Sequence, residues 1–192
     1  KDNLTYRQPN WWKPVIDEGK RIRNELGLME FSAMAKFEVS GPGAQDWLNF
    51  VMANNMPATG RVALSPMLSA HGRLAGDFSI SRLDADRFLL LGADAMQLAF
   101  MRHFSQSLPG KGVLLKNLSA EYGGLHICGP NAQALISRLA DHDMSSASFP
   151  FMSVAEMKLG NIEKVKVLRV SFTGETGYEI CRCTSNWHCL IC

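Results

Sequence analysis

Two short runs in this chain combine residue types that can do chemistry. In Gly72–Arg82, alternation puts Leu74, Gly76, Phe78 and Ile80 on one face of a strand and Arg73, Ala75, Asp77, Ser79 and Ser81 on the other. Aspartate is disfavoured inside strands. Asp77 with Ser79 two positions on therefore sets a carboxylate and a hydroxyl side by side, where a polar ligand could be held. The other reading is a wetted face, since antiparallel sheets commonly have one polar face. The second run is Arg169-Val-Ser-Phe-Thr-Gly-Glu-Thr-Gly-Tyr-Glu-Ile180. Two glycines bracket a turn bearing Glu175, and the returning strand carries Tyr178 and Glu179. A carboxylate emerging from such a turn suits an amidine-like edge with two parallel N–H donors. An ordinary hairpin with Glu175 and Glu179 in water is the alternative.

Other chemistries find no footing. There is no G-x-G-x-x-G after a strand, no P-loop, no G-x-S-x-G and no H-E-x-x-H. The histidines, at 71, 103, 126, 142 and 188, do not pair at helical ligand spacing, and His103 falls on the apolar side of a helix, as a packed core residue would. Of five cysteines, Cys181, Cys183, Cys189 and Cys192 lie in the last twelve residues. With His188 they could be written C-x-C-x4-H-C-x2-C. Zinc sites, however, draw their ligands from two knuckles separated by a longer loop, so no metal site is assigned and small buried or edge residues are expected. An odd, end-loaded cysteine count does not resemble a secreted disulfide framework; a reducing compartment, cytoplasm or mitochondrial matrix, is expected.

The 192 residues are 46% hydrophobic and 20% charged, with a net charge of +2, an ordinary globular composition. No basic run is interleaved with aromatics, which argues against nucleic acid as a partner. No apolar stretch is long enough to cross a bilayer as a helix. The opening residues contain neither an apolar signal core nor an initiator Met, as expected for a start inside a longer protein.

These candidate residues must be positioned by sheets. Periodicity predicts helices over Pro14–Leu26, Ala44–Met52 and Ala93–Leu108, and strands over Lys36–Ser40, Arg61–Leu68, Gly72–Arg82, Arg87–Gly92, Ile162–Phe172 and Tyr178–Cys181. Val39-Ser-Gly-Pro-Gly-Ala-Gln45 is echoed 88 residues later by Ile127-Cys-Gly-Pro-Asn-Ala-Gln133, again followed by an apolar stripe (Ala132, Leu135, Ile136, Leu139, Ala140). Each copy is a strand stopping at Gly-Pro, where proline starts a helix that packs back on the sheet. The expectation is an α+β class with mostly antiparallel sheets and packed helices, in two related subdomains of about 28–110 and 112–192.

Three segments resemble the glycine-cleavage T-protein (aminomethyltransferase) family: Leu28–Ala44 (LMEFSAMAKFEVSGPGA), Gly72–Asp77 (GRLAGD) and Arg169–Glu179 (RVSFTGETGYE). The resemblance runs in order from about Trp11 onward. Arg7-Gln-Pro-Asn-Trp-Trp12, Phe149-Pro-Phe151 and the RVSFTGETGYE run are closer to the branch fused to dimethylglycine and sarcosine dehydrogenases. That branch implies an upstream flavin (FAD) domain of the same chain that oxidises a methylated amine, and a domain like this one that captures the one-carbon unit on tetrahydrofolate. Carried over by position, Asp77 lies beside the folate N5 and N10 atoms as the catalytic carboxylate, and Glu179 grips the pterin. Met34, Leu64 and Leu91 form apolar walls, Ser79 supplies a hydroxyl, and Phe172 and Tyr178 complete the cofactor-binding set. Phe172 stands where the family commonly has tyrosine, so stacking survives without a phenolic hydrogen bond. Glu30-Phe-Ser-Ala-Met34 replaces the family's D-V-S-H-M, which points away from a free T-protein. The family's third subdomain, with an arginine lining the folate site, is expected to be missing from this chain.

Overall fold

The computed structural model describes residues 1–3 and 5–184. Helix α1 (Trp12–Asn24) leads into strand β1 (Gly27–Glu30), β2 (Ala35–Ser40) and helix α2 (Ala44–Val51). Strands β3 (Val62–Leu68), β4 (Leu74–Asp84) and β5 (Arg87–Gly92) form a meander, followed by a 3-10 turn (Asp94–Met96) and α3 (Gln97–Ser107). Then come β6 (Leu114–Asn117), β7 (Tyr122–Cys128), α4 (Ala132–Leu139), β8 (Val154–Leu159), β9 (Ile162–Leu168) and β10 (Gly177–Cys183). Two five-stranded antiparallel sheets result, one in the order β3-β4-β5-β2-β6 and the other β1-β7-β10-β9-β8. The expected α+β class is borne out.

Both Gly-Pro steps do the same mechanical work. Gly41 (φ 111°) ends β2 and Gly129 (φ 124°) ends β7, each in a backbone region that side chains disfavour. A Cβ on Gly41 would stand 2.5 Å from the carbonyl oxygen of Gly112, and one on Gly129 would stand 2.7 Å from that of Glu25. The helices that follow bury Ala44, Trp47 and Leu48 (α2) or Ala132 and Ile136 (α4). Under α2 and α3 the first sheet contributes Phe37, Phe78, Phe88 and Leu90 to a core completed by Phe100 and Phe104. Under α4 the second sheet contributes Ile127, Val165, Val167, Tyr178 and Ile180.

The opposite faces of the two sheets meet in a third apolar cluster of Phe31, Val62, Leu89, Leu91, Val154, Leu168, Val170 and Cys181. The strands do not sort by the halves of the chain. β1, early in sequence, pairs with β7, and β6 pairs with β2, so the chain crosses between sheets at residues 31–34 and again at 118–121. The sheets also join at one corner. There the Val62 N–H donates to the Met152 carbonyl (2.8 Å) and the Val154 N–H to that of Gly60 (2.9 Å). The Arg61 guanidinium, from the same corner, donates to Ser153 Oγ (2.8 Å) and the Phe151 carbonyl (2.9 Å).

Element boundaries shift modestly from expectation. The first helix begins at Trp12, with Pro14 in its first turn, where the N–H groups lack intrahelical partners anyway. The long strand expected to reach Phe172 stops at Leu168, because the chain turns aside toward the corner: the Arg169 N–H donates to the Ser153 carbonyl. Strands β1, β6 and β8 are too short or too weakly alternating to announce themselves. Cys181 and Cys183 fall on β10, whereas His188, Cys189 and Cys192 lie outside the described residues. Among the described residues no helix is long and apolar enough to cross a membrane.

Gly129→Ala combines a disfavoured backbone angle with contact against two fixed carbonyls, those of Ile22 and Glu25. It should lower the unfolding free energy by at least about 2 kcal/mol, read as a fall in the urea midpoint.

Candidate functional site

Register decides which side chains meet. In antiparallel sheet, directly opposed residues point to the same face. Ser79 of β4 opposes Leu64 of β3 and Leu91 of β5, and Leu91 opposes Lys36 of β2. Leu64, Ser79, Leu91 and Lys36 thus form one row across the first sheet. Leu91 is buried in the inter-sheet cluster with Met34 packed against it, Ser79 is half-buried, and Leu64 is exposed. Asp77 shares this face two residues along β4, opposite Pro66 and beyond the point where β5 pairing begins, and it is exposed.

In the second sheet, Glu179 of β10 opposes Leu168 of β9 and His126 of β7, and His126 opposes Met29 of β1. Leu168 belongs to the inter-sheet cluster, so this row faces the first sheet. Leu64, Asp77, Ser79 and Leu91 thus lie on the face of the first sheet that carries the inter-sheet cluster, against which Met34 packs, and Glu179 lies on the facing side of the second sheet; exposure runs from the exposed Asp77 to the buried Leu91. Tyr178 is not brought there. Strand alternation turns it into the core beneath α4, where it is fully buried, its hydroxyl lacks a partner and the Arg169 guanidinium carbon lies 5.9 Å from its ring. Phe172 is exposed and lines an open cleft of about 410 Å³ with Phe151, Arg169, Ser171, Glu175 and Gly177. Gly177 lies against the His126 ring and on the same strand face as Glu179, so the cleft borders the Glu179 row.

The two glutamates of the second run have different fates. Glu175 accepts from Arg23 Nη1 at 2.7 Å and from the Thr173 hydroxyl, which pins the 173–176 turn to α1. These bonds hold its carboxyl below the usual range, the Thr173 bond foremost. Glu179 has no hydrogen-bond partner among the described residues; burial pushes it up to about 7, against the opposing pull of Lys36. Lys36 is fully buried, and its ammonium donates to the carbonyls of Ser32 and Met34, both at 2.9 Å. It also stands 5.6 Å from the Phe31 ring centroid. Burial lowers its pKa, while Cys181, Glu30 and Glu179 raise it. Burial also keeps His126 below its ordinary range, with Nδ1 unpartnered, and pushes the Cys181 thiol up to about 12.

Lys36 and His126 are the residues that sequence reasoning missed. The signal for Lys36 was present: in Ala35–Ser40, alternation sets Lys36 and Glu38 opposite the core residues Phe37 and Val39. Its burial depends on the second sheet and could not be read from one strand. A half-buried carboxylate beside apolar side chains can receive the paired N–H edge of a planar heterocycle. An exposed carboxylate such as Asp77 can orient or stabilise a developing positive charge.

The GCVT N-terminal domain pattern matches residues 2–188. The chain belongs to that family. It is 30% identical over 178 residues to mitochondrial dimethylglycine dehydrogenase of Homo sapiens, covering 92% of this chain and 20% of that protein. It is 33% identical over 177 residues to an aminomethyltransferase of Natranaerobius thermophilus, covering 88% of this chain and 48% of the relative. The glycine cleavage system aminomethyltransferase T of Bartonella henselae superposes with a TM-score of 0.80 at 21% identity, over 99% of this chain and 52% of that one. This GCVT domain thus spans between a fifth and about half of the length of these three relatives. The resemblance to the T-protein family and its dehydrogenase-fused branch is borne out. The chain is an aminomethyltransferase-like domain related to dimethylglycine dehydrogenase.

Glu179 links stability to pH. Its folded value of about 7 exceeds its ordinary 4.5, so the folded state binds the proton more tightly. The stabilisation from that proton is complete below about pH 4.5 and is lost as pH rises through about 7. Glu179→Gln, neutral throughout, should match the parent near pH 4 and exceed its stability by up to about 3 kcal/mol at pH 8, measured by urea denaturation at both pH values.

Proposed function

We propose that this GCVT domain is the tetrahydrofolate-binding, one-carbon-transfer part of a dimethylglycine or sarcosine dehydrogenase-like enzyme. In that role it captures the one-carbon unit released from an N-methyl amine as 5,10-methylene-tetrahydrofolate. The observation that carries the reading is the Glu179 carboxyl: half-buried, raised in proton affinity by that burial, without a hydrogen-bond donor among the described residues, and in a strand row whose Leu168 belongs to the inter-sheet cluster that includes Leu91. Leaving such a group unpaired is costly unless a ligand supplies the missing donors. Its two oxygens fit the N3–H and 2-amino donors of a pterin as a parallel pair.

The other roles follow the geometry outward. Met34, Leu91 and Leu64 cover the flat faces of the ring system, and Ser79 offers a hydroxyl midway along the same row. Phe172, beside the cleft that borders Glu179, stacks on the aminobenzoyl end. Asp77, exposed at the mouth, orients the attacking nitrogen and stabilises positive charge on the transferred unit. Tyr178 serves from beneath, where its packing under α4 fixes the strand that carries Glu179. Tetrahydrofolate supplies the nucleophilic nitrogens; everything assigned to this chain is binding, orientation and charge. FAD belongs to an upstream flavin domain of the parent protein, and the two Gly-Pro units are related subdomains completed by a third. The cytoplasm or mitochondrial matrix is the setting, and the similarity to a mitochondrial dehydrogenase favours the matrix. A stand-alone aminomethyltransferase is the second reading, supported by the 33% identity to such an enzyme.

In the full-length protein, Asp77→Asn should leave tetrahydrofolate affinity within a few-fold of the parent and cut methylene-tetrahydrofolate formation by roughly 10²-fold or more. Folate binding and biological activity both left intact by Asp77→Asn would instead indicate a folate-binding relative without transfer chemistry. Glu179→Ala should instead weaken tetrahydrofolate binding by roughly 10- to 100-fold, measured by calorimetric titration.

A further inference from the structure

We propose that Phe151 is the second aromatic wall of the ligand site, holding the aminobenzoyl ring of tetrahydrofolate against Phe172 in the cleft beside the sheet corner. The inference rests on the folate reading and deepens it. Of the run Phe149-Pro-Phe151, the first ring is buried in the core beneath α4. The second is 56% exposed and opens on the cleft of about 410 Å³ that Phe172 also lines. A single exposed phenylalanine calls for no explanation. Here two open on one cleft, and among the described residues neither makes a ring contact, although stacking on each other would withdraw both from water.

The backbone holds Phe151 in that position. The Phe149 carbonyl accepts from Arg169 Nη1 (2.6 Å), the Phe151 carbonyl from Arg61 Nη2 (2.9 Å) and the Met152 carbonyl from the Val62 N–H (2.8 Å). The Met152 N–H donates in turn to the Arg169 carbonyl (2.8 Å), so both sides of the corner grip the segment. Met152 has a φ of 64°, in the left-handed region that a methionine occupies only at a cost. Strain of this kind persists where the surroundings over-determine it, and it clusters at ligand sites. Its effect here is that Met152 packs against the inter-sheet cluster while the neighbouring ring of Phe151 stays outside. The opposite wall is anchored too. The Gly174 N–H donates to Ser171 Oγ (2.8 Å) and Arg23 donates to Glu175 (2.7 Å), on either side of Phe172. Rings on fixed backbone give up little freedom when a flat group enters between them. Because the cleft borders the Glu179 row, a ligand gripped there by its heterocycle places its next ring in this gap.

The test compares two ligands by calorimetric titration of the full-length protein. One is tetrahydrofolate; the other is 6-methyltetrahydropterin, which keeps the pterin and lacks the aminobenzoyl group. Phe151→Ala should weaken tetrahydrofolate binding roughly 10-fold and change pterin binding by less than about twofold. Phe151→Tyr, which keeps the aromatic face, should bind tetrahydrofolate within about twofold of the parent. Glu179→Ala should weaken both ligands. Where the truncated pterin binds too weakly to titrate, proton NMR of bound tetrahydrofolate takes its place: the aminobenzoyl protons should lie upfield in the parent and return toward their free positions in Phe151→Ala. Unchanged tetrahydrofolate affinity in Phe151→Ala, equal weakening of both ligands, or unmoved aminobenzoyl signals overturns the proposal and leaves the folate reading standing. Absence of tetrahydrofolate binding by the parent overturns the folate reading itself.

Discussion

Between the two sheets a dry layer has to form, and it has to contain charge. Phe31, Leu89, Val154 and Leu168 exclude water there, yet Lys36 is wholly inside and Glu179 partly so. Removing an ion from water costs several kcal/mol even after relaxation. The ammonium recovers much of that cost from two carbonyls and an aromatic ring. The carboxylate recovers less, and its proton affinity rises accordingly. A fold selected only for stability would fill this position with an apolar side chain.

That layer exists because the chain laces the sheets together. β1 and β6 are each contributed to the sheet built mainly from the other part of the chain, so both crossovers are anchored by pairing on either side. Arg61 closes the corner between β3 and β8. Arg87 of β5 ion-pairs with Glu38 of its own sheet and with Glu156 of β8 across the layer. Side chains separated by about a hundred residues, such as Ser79 and Glu179, therefore lie on the facing sides of two sheets whose registers are fixed by backbone pairing.

Much of this was legible in the residues. The Gly-Pro repeats marked two strand-to-helix steps, and both glycines prove to be positions where backbone angle and close carbonyls exclude a Cβ. Alternation in Gly72–Arg82 correctly separated Phe78 and Ile80, which enter the helix-covered core, from Asp77 and Ser79, which do not. Glu175 could be read either as a ligand-binding carboxylate or as a side chain in water; instead Arg23, 152 residues away, pairs with it. Tyr178 stands beside Glu179 in the candidate set, but neighbours on a strand face opposite ways.

By itself, the sequence determined the local instructions: which strands alternate, where helices begin, which turns need glycine, and which family pattern the chain carries. Period and backbone sterics act over a few residues and leave their mark in order. Tertiary structure alone decided that β1 crosses to the second sheet, that Lys36 is enclosed rather than solvated, and that Glu179 and not Glu175 is the carboxylate without a partner. Those outcomes depend on desolvation, and desolvation is set by what a distant segment places on top.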